Sequence, residues 1–113
     1  MARALIRRGQ FVAVAASGDY GKPRPALVVQ SDLFAELPSV VLCPAATMLR
    51  SDADLFRLEV APSAHNGLRD VSQIAIDKIT VVPAAKICGV ISETDDALLL
   101  RVNRAVALFP GIV

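Results

Sequence analysis

Seven short segments rich in Val, Ile and Leu follow one another along this chain, each too brief for an ordinary helix and each separated from the next by turn residues. They are Phe11 to Ala15, Ala26 to Gln30, Val40 to Cys43, Leu55 to Val60, Gln73 to Ile76, Ile79 to Val82 and Ile87 to Ile91. Many short strands with turns between them predict a mainly β (α+β) protein built as a small barrel. Leu55 to Val60 has the period of a half-buried strand, with Phe56, Leu58 and Val60 on one face and Arg57 and Glu59 on the other. The Ala64-His65-Asn66-Gly67 stretch after it is a turn.

Two helices complete the expectation. Ser31 to Leu37 reads as a short internal helix, with Ser31 or Asp32 near its start and Pro38 ending it. A longer C-terminal helix can be capped by Ser92, with Asp95 at N3 in place of the usual Glu, and Pro110-Gly111 stops it. Asp96 adds favourable charge in its first turn. Leu98, Val102, Ala105 and Phe109 form one helical stripe. Leu99, Leu100, Val106 and Leu108 widen that surface, and Ile112 and Val113 follow. Either the helix is wedged into its own core or it is shared with a second copy, because a mean hydropathy of +0.51 implies much apolar surface to hide.

Composition excludes several classes. Hydrophobic residues make up 54% of the 113 residues and charged ones 20%, which argues against disorder. Apolar runs such as Val81 to Ala85 fall far short of the ~20 residues of a membrane span, so a soluble protein is expected. Twelve Lys+Arg against eleven Asp+Glu give a net charge of +1, so any site for a polyanion must be local. No apolar stretch of signal-peptide length follows Arg7-Arg8, making the cytoplasm the default location. Cys43 and Cys88 sit in apolar runs, where a buried reduced thiol is the commoner state. One His and no Cys-x-x-Cys cannot assemble a zinc site, and no cofactor is expected. Without repeats or a linker, residues 1–113 read as one domain.

Polar, aromatic and cationic groups concentrate in Ser17-Gly18-Asp19-Tyr20-Gly21-Lys22-Pro23-Arg24-Pro25, between two predicted strands. Such a loop is either a solvated connection or a functional one. Pro23 and Pro25 restrict the backbone around Arg24, which aims a guanidinium whose fork matches a phosphate.

The run Gly21-Lys22-Pro23-Arg24-Pro25-Ala26-Leu27-Val28-Val29-Gln30-Ser31-Asp32 resembles the signature of the MazF/PemK toxins, related in fold to the gyrase poison CcdB. Val40-Val41-Leu42-Cys43-Pro44 is similar to the family's second motif, and Ser72 to Val82 to its third. Val102 to Phe109 is also similar, so the resemblance covers roughly residues 7 to 112. It implies an SH3-like barrel with a C-terminal helix, acting as a homodimer that cuts single-stranded RNA at short preferred sequences without a metal. The ends would be a 2′,3′-cyclic phosphate and a 5′-hydroxyl, and a cognate antitoxin with a disordered acidic tail would silence the toxin.

By the same resemblance Arg24 contacts the scissile phosphate. Asp77 matches an acidic position in the third motif, where it would orient Arg24 or accept the 2′-hydroxyl proton; the plainer alternative is a salt bridge to Lys78 or an arginine. A carboxylate beside an arginine is a weak base, which favours positioning. Family members read P-x-T-S where this chain has Pro44-Ala45-Ala46-Thr47, so Thr47 matches the neighbouring Ser position and would face the wrong way unless the strand has already ended. Ala75 stands where one branch carries a catalytic Arg. Further expected RNA contacts are Asp19, Tyr20, Lys22, Arg50, Ser72, Gln73 and Lys78, with Tyr20 stacking on a base. His65 reads as an exposed turn residue outside the family motifs.

Two other functions fit the same family likeness. A CcdB-like gyrase inhibitor would act through the C-terminal helix and tail, and a decayed nuclease would persist as a binding partner, with Ala46 and Ala75 as its marks.

Overall fold

In the computed structural model, residues 5–15, 22–64 and 66–112 are described. The strands are β1 (Gln10–Val14), β2 (Arg24–Val28), β3 (Ser39–Ala46), β4 (Arg57–Val60), β5 (Ser72–Ala75), β6 (Thr80–Pro83) and β7 (Ile87–Glu93), and helix α1 (Asp96–Leu108) follows them. All pairings are antiparallel, in the order β4-β5-β3-β2-β1-β7, with β6 also on β3.

The long strand β3 makes this topology possible. Leu42, Cys43 and Pro44 pair with β2, while the other edge is divided between β6, through residues 39 to 42, and β5, through residues 45 and 46. One strand thus serves two sheets. A single 3₁₀ turn, Ala84–Lys86, joins β6 to β7. It is held at both ends, Ala84 N donating to Pro38 O and Ala15 N donating to Lys86 O, each at 2.8 Å. The series β7-β1-β2-β3-β6 therefore returns on itself as a barrel-like sheet bridged by a turn; among the described residues no ladder joins β6 to β7.

The central strands are buried on both faces, which explains their unbroken apolar runs. Phe11, Leu27, Val29 and Cys43 pack with Leu58, Ile74 and Ile76 under Leu98, Val102 and Ala105 of α1. Val12, Ala26, Val28, Val40 and Leu42 pack on the other side with Ala84. Burying each large side chain completely contributes roughly 1.5–3 kcal/mol.

Three local expectations change. The internal helix shrinks to a 3₁₀ turn, Asp32–Phe34, with Ser31 Oγ accepting from Leu33 N at 3.2 Å. Leu33 is 88% exposed, so no apolar face is buried to sustain a longer helix. The cap of α1 is Asp95, whose Oδ1 accepts from Leu98 N at 2.7 Å. Ser92 cannot cap because β7 runs on through Glu93, with Ser92 opposite Phe11. Cys88 is exposed on β7, whereas Cys43 is buried, and both are free thiols. Among the described residues no helix is long and apolar enough to cross a membrane.

Candidate active site

Antiparallel register brings the two main candidates together. Ala26 faces Pro44 and Leu27 faces Cys43, so continuing the ladder sets Arg24 against Ala46, one residue before Thr47. Strand β3 ends at Ala46, which frees Thr47 from strand alternation. Arg24 and Thr47 consequently line the same cavity, of ≈ 340 Å³, together with Lys22 and Ser72.

The other wall is the segment between β4 and β5, which the sequence announces only as a turn. Asn66 is 8% exposed and organises it: Oδ1 accepts from Ser63 N and Leu68 N, each at 3.0 Å, and Nδ2 donates to Ala61 O at 2.8 Å. Asn66 N also donates to Ser63 Oγ at 3.1 Å. Gly67 follows with φ +68°, against Ile91 of β7. The buried Ser72 hydroxyl donates to Asp70 O at 3.1 Å at the start of β5. Arg69 and Asp70 enter the cavity from this wall. Neither is a residue that the sequence singles out; the available signal is a charged pair one residue beyond an Asn-Gly turn.

The cavity carries a positive excess. Its described lining has three cations, Lys22, Arg24 and Arg69, against one carboxylate, Asp70. A local excess of that kind suits a phosphodiester although the chain as a whole is nearly neutral.

Asp77 lies elsewhere. The β4–β5 register sets Arg57 opposite Ala75, and the 3₁₀ turn Ile76–Lys78 then carries Asp77 to the Arg57 guanidinium. Nε donates to Oδ1 at 2.6 Å and Nη2 to Oδ2 at 3.0 Å, a bidentate pair. The hydrogen bonds from Arg57 hold the Asp77 carboxyl below its usual range, against an opposing push from burial. The same bonds raise Arg57. Neither residue lines the Arg24 cavity. Asp77 has the arginine partner of the plainer alternative, and that partner is Arg57.

Arg57 borders a second cavity, of ≈ 460 Å³, with Arg50, Gln73, Glu59 and Arg101. Here Gln73 clamps the backbone of Arg50, its Oε1 accepting from Arg50 N and its Nε2 donating to Arg50 O, each at 2.9 Å. The Arg50 guanidinium lies 5.8 Å from the Phe56 ring centroid, with Nε 3.5 Å from Asp52. Lys78 is exposed and lines neither cavity. The expected contacts thus divide into Lys22 and Ser72 with Arg24, Arg50 and Gln73 in the second cavity, and Lys78 apart. Asp19, Tyr20 and His65 lie outside the described residues.

Comparison with known proteins shows the family. The family model for the PemK-like, MazF-like toxin of type II toxin–antitoxin systems matches residues 7–109. The probable endoribonuclease MazF of Mycolicibacterium smegmatis (strain ATCC 700084 / mc(2)155) is 40% identical over 111 residues, covering 95% of this chain and 98% of that protein. Among solved structures, a mycobacterial endoribonuclease in complex with its cognate antitoxin overlays with a TM-score of 0.70 at 19% identity, covering 93% of this chain and 92% of that one. A MazE-MazF structure from Deinococcus radiodurans gives 0.72 at 19% identity, covering 96% and 98%. At that identity the likeness is one of fold. Matched along nearly its whole length by the family model, the chain belongs to the PemK-like, MazF-like toxins of type II toxin–antitoxin systems.

Proposed function

We propose that this toxin is an endoribonuclease that cuts single-stranded RNA by metal-independent transesterification in the Arg24–Thr47 cavity. The observation that carries the reading is the convergence of Arg24 and Thr47 on one cation-rich cavity. The 40% identical relative bears the name of a probable endoribonuclease. The ribose 2′-oxygen attacks phosphorus and loses its proton to a base, the P–O5′ bond breaks, and O5′ takes up a proton. The products are a 2′,3′-cyclic phosphate and a 5′-hydroxyl. Arg24 offers its fork to the non-bridging oxygens, where negative charge develops, and the Thr47 hydroxyl donates to the same group. Asp77 acts through structure: tied to Arg57, it fixes the turn after β5.

The protein works in the cytoplasm, as a homodimer, under the control of a cognate antitoxin. Exposed apolar side chains, among them Val81, Val90 and Ile112, suit a second copy. An acidic antitoxin segment would mimic RNA by covering the cationic cavity. A gyrase inhibitor acting through α1 is less well supported, because Leu98, Val102 and Ala105 are committed to the core. Thr47 beside Arg24 likewise supports a working nuclease over a decayed one. The test is incubation of purified protein with long single-stranded RNA in EDTA, mapping fragment ends and their phosphate chemistry. Discrete cuts that vanish in Arg24→Ala support the reading; cuts that persist in that variant contradict it.

A further inference from the structure

Strands β4 and β5 are adjacent in the sheet, with Val60 opposite Ser72, yet residues 61 to 71 intervene where a hairpin needs about two to five. Connecting the two strands does not require that length. The excursion instead reaches β7, at the far end of the strand order, where Gly67 meets Ile91 so closely that an added Cβ would lie 2.2 Å from Ile91 Cγ2. Asn66 pins it from within through its bonds to Ala61, Ser63 and Leu68, and Leu68 is itself buried. Arg69 follows this anchored stretch, exposed and lining the Arg24 cavity. An exposed cation is thus carried into the cavity by a stretch fixed at Asn66 and Leu68.

We infer that Arg69 is a second phosphate-binding residue of the site, supplied by the 61–71 segment, whose guanidinium shares with Arg24 the charge that develops on the reacting phosphorus. At ≈ 340 Å³ the cavity is at the small end of ligand pockets, so groups lining it act on one nucleotide junction. With Asp70 in the lining, Lys22 and Arg24 alone would leave an excess of one positive charge, and Arg69 raises it to two. Arg69 acts by charge and by donating hydrogen bonds, and the proton transfers fall to other groups. This inference rests on the endoribonuclease reading.

The test is steady-state and single-turnover cleavage of a fluorogenic single-stranded RNA carrying the mapped cut site, with thermal unfolding in parallel. Arg69→Ala is expected to lower kcat by about 10²–10³-fold with little change in KM and an unchanged unfolding midpoint, because the side chain is exposed. Arg69→Lys should recover part of the loss, a point charge replacing a fork. Arg104→Ala, an exposed charge on α1, should match the wild type. Wild-type kcat in Arg69→Ala, or a loss confined to KM, overturns the inference while Arg24→Ala remains inactive. An active Arg24→Ala, or a wild type that does not cleave, overturns the underlying reading instead.

Discussion

Arg57 and Asp77 are twenty residues apart in sequence and joined by two hydrogen bonds, at 2.6 and 3.0 Å, that lock β4 to the turn following β5. Arg57 is 7% exposed, so removing the carboxylate strands a buried guanidinium. Asp77→Asn should therefore destabilise the fold by about 3–5 kcal/mol at neutral pH, measured by urea unfolding. The folded carboxyl titrates below its usual value of 3.8, so its contribution is complete above that value and is lost as pH falls through the lower folded one. Wild-type stability should fall on the acid side of pH 4, and the Asn variant should show less of that fall. The double variant Arg57→Met/Asp77→Leu, which leaves no unpaired charge, should regain most of the stability and still cleave RNA. Loss of cleavage in that folded double variant would make Asp77 part of the chemistry.

In the proposed mechanism Thr47, which lines the Arg24 cavity, offers a hydroxyl to the reacting phosphate. Thr47→Ala should lower kcat by about 10²–10³-fold with the fold intact, since the residue is exposed, and Thr47→Ser should retain most activity. Equal rates in all three proteins would remove the hydroxyl from the mechanism.

Gly67 combines φ +68° with the approach to Ile91. Gly67→Ala adds both strain and a clash, so the unfolding free energy should drop by roughly 1–3 kcal/mol. Gly67→Ala/Ile91→Ala relieves the contact and leaves the strain, and should recover only part. A Gly67→Ala protein as stable as the wild type would mean that the segment does not hold its position against β7.

The two thiols should separate cleanly in reactivity. Burial pushes Cys43 up to about 11, whereas Cys88 is exposed. A disulfide reagent at neutral pH should titrate one thiol quickly in the native protein and two in denaturant. Cys88→Ala should abolish the fast phase, and its survival would contradict the burial of Cys43.

What could be read from the sequence was what short-range patterns encode. The β segments follow from apolar runs and turns, and the buried stripe of α1 from Leu98, Val102 and Ala105, whereas Phe109, expected in the same stripe, is half-exposed, and Arg24 and Pro25, expected in a loop, open β2. Long-range geometry was out of reach. Nothing local to Asp77 specifies Arg57, because their meeting depends on the β4–β5 register and the turn after it. Ser92 and Asp95 both suit a cap, and the choice is made by how far β7 pairs with β1. The Asn66-Gly67 turn is visible in the sequence, but its approach to Ile91, and with it the arrival of Arg69 in the Arg24 cavity, depends on the sheet's far edge. The amide of Gln73, an expected RNA contact, is held by the Arg50 backbone at the second cavity.

The central claim is that Arg24 acts directly on a phosphodiester. Its most direct measurement is end-mapping of a long single-stranded RNA after incubation in EDTA with the wild type and with a folded Arg24→Ala protein. Discrete wild-type cuts bearing 2′,3′-cyclic phosphate and 5′-hydroxyl ends are expected, reduced by orders of magnitude in the variant. Intact RNA with the wild type, or the same cuts at the same rate with Arg24→Ala, would contradict it.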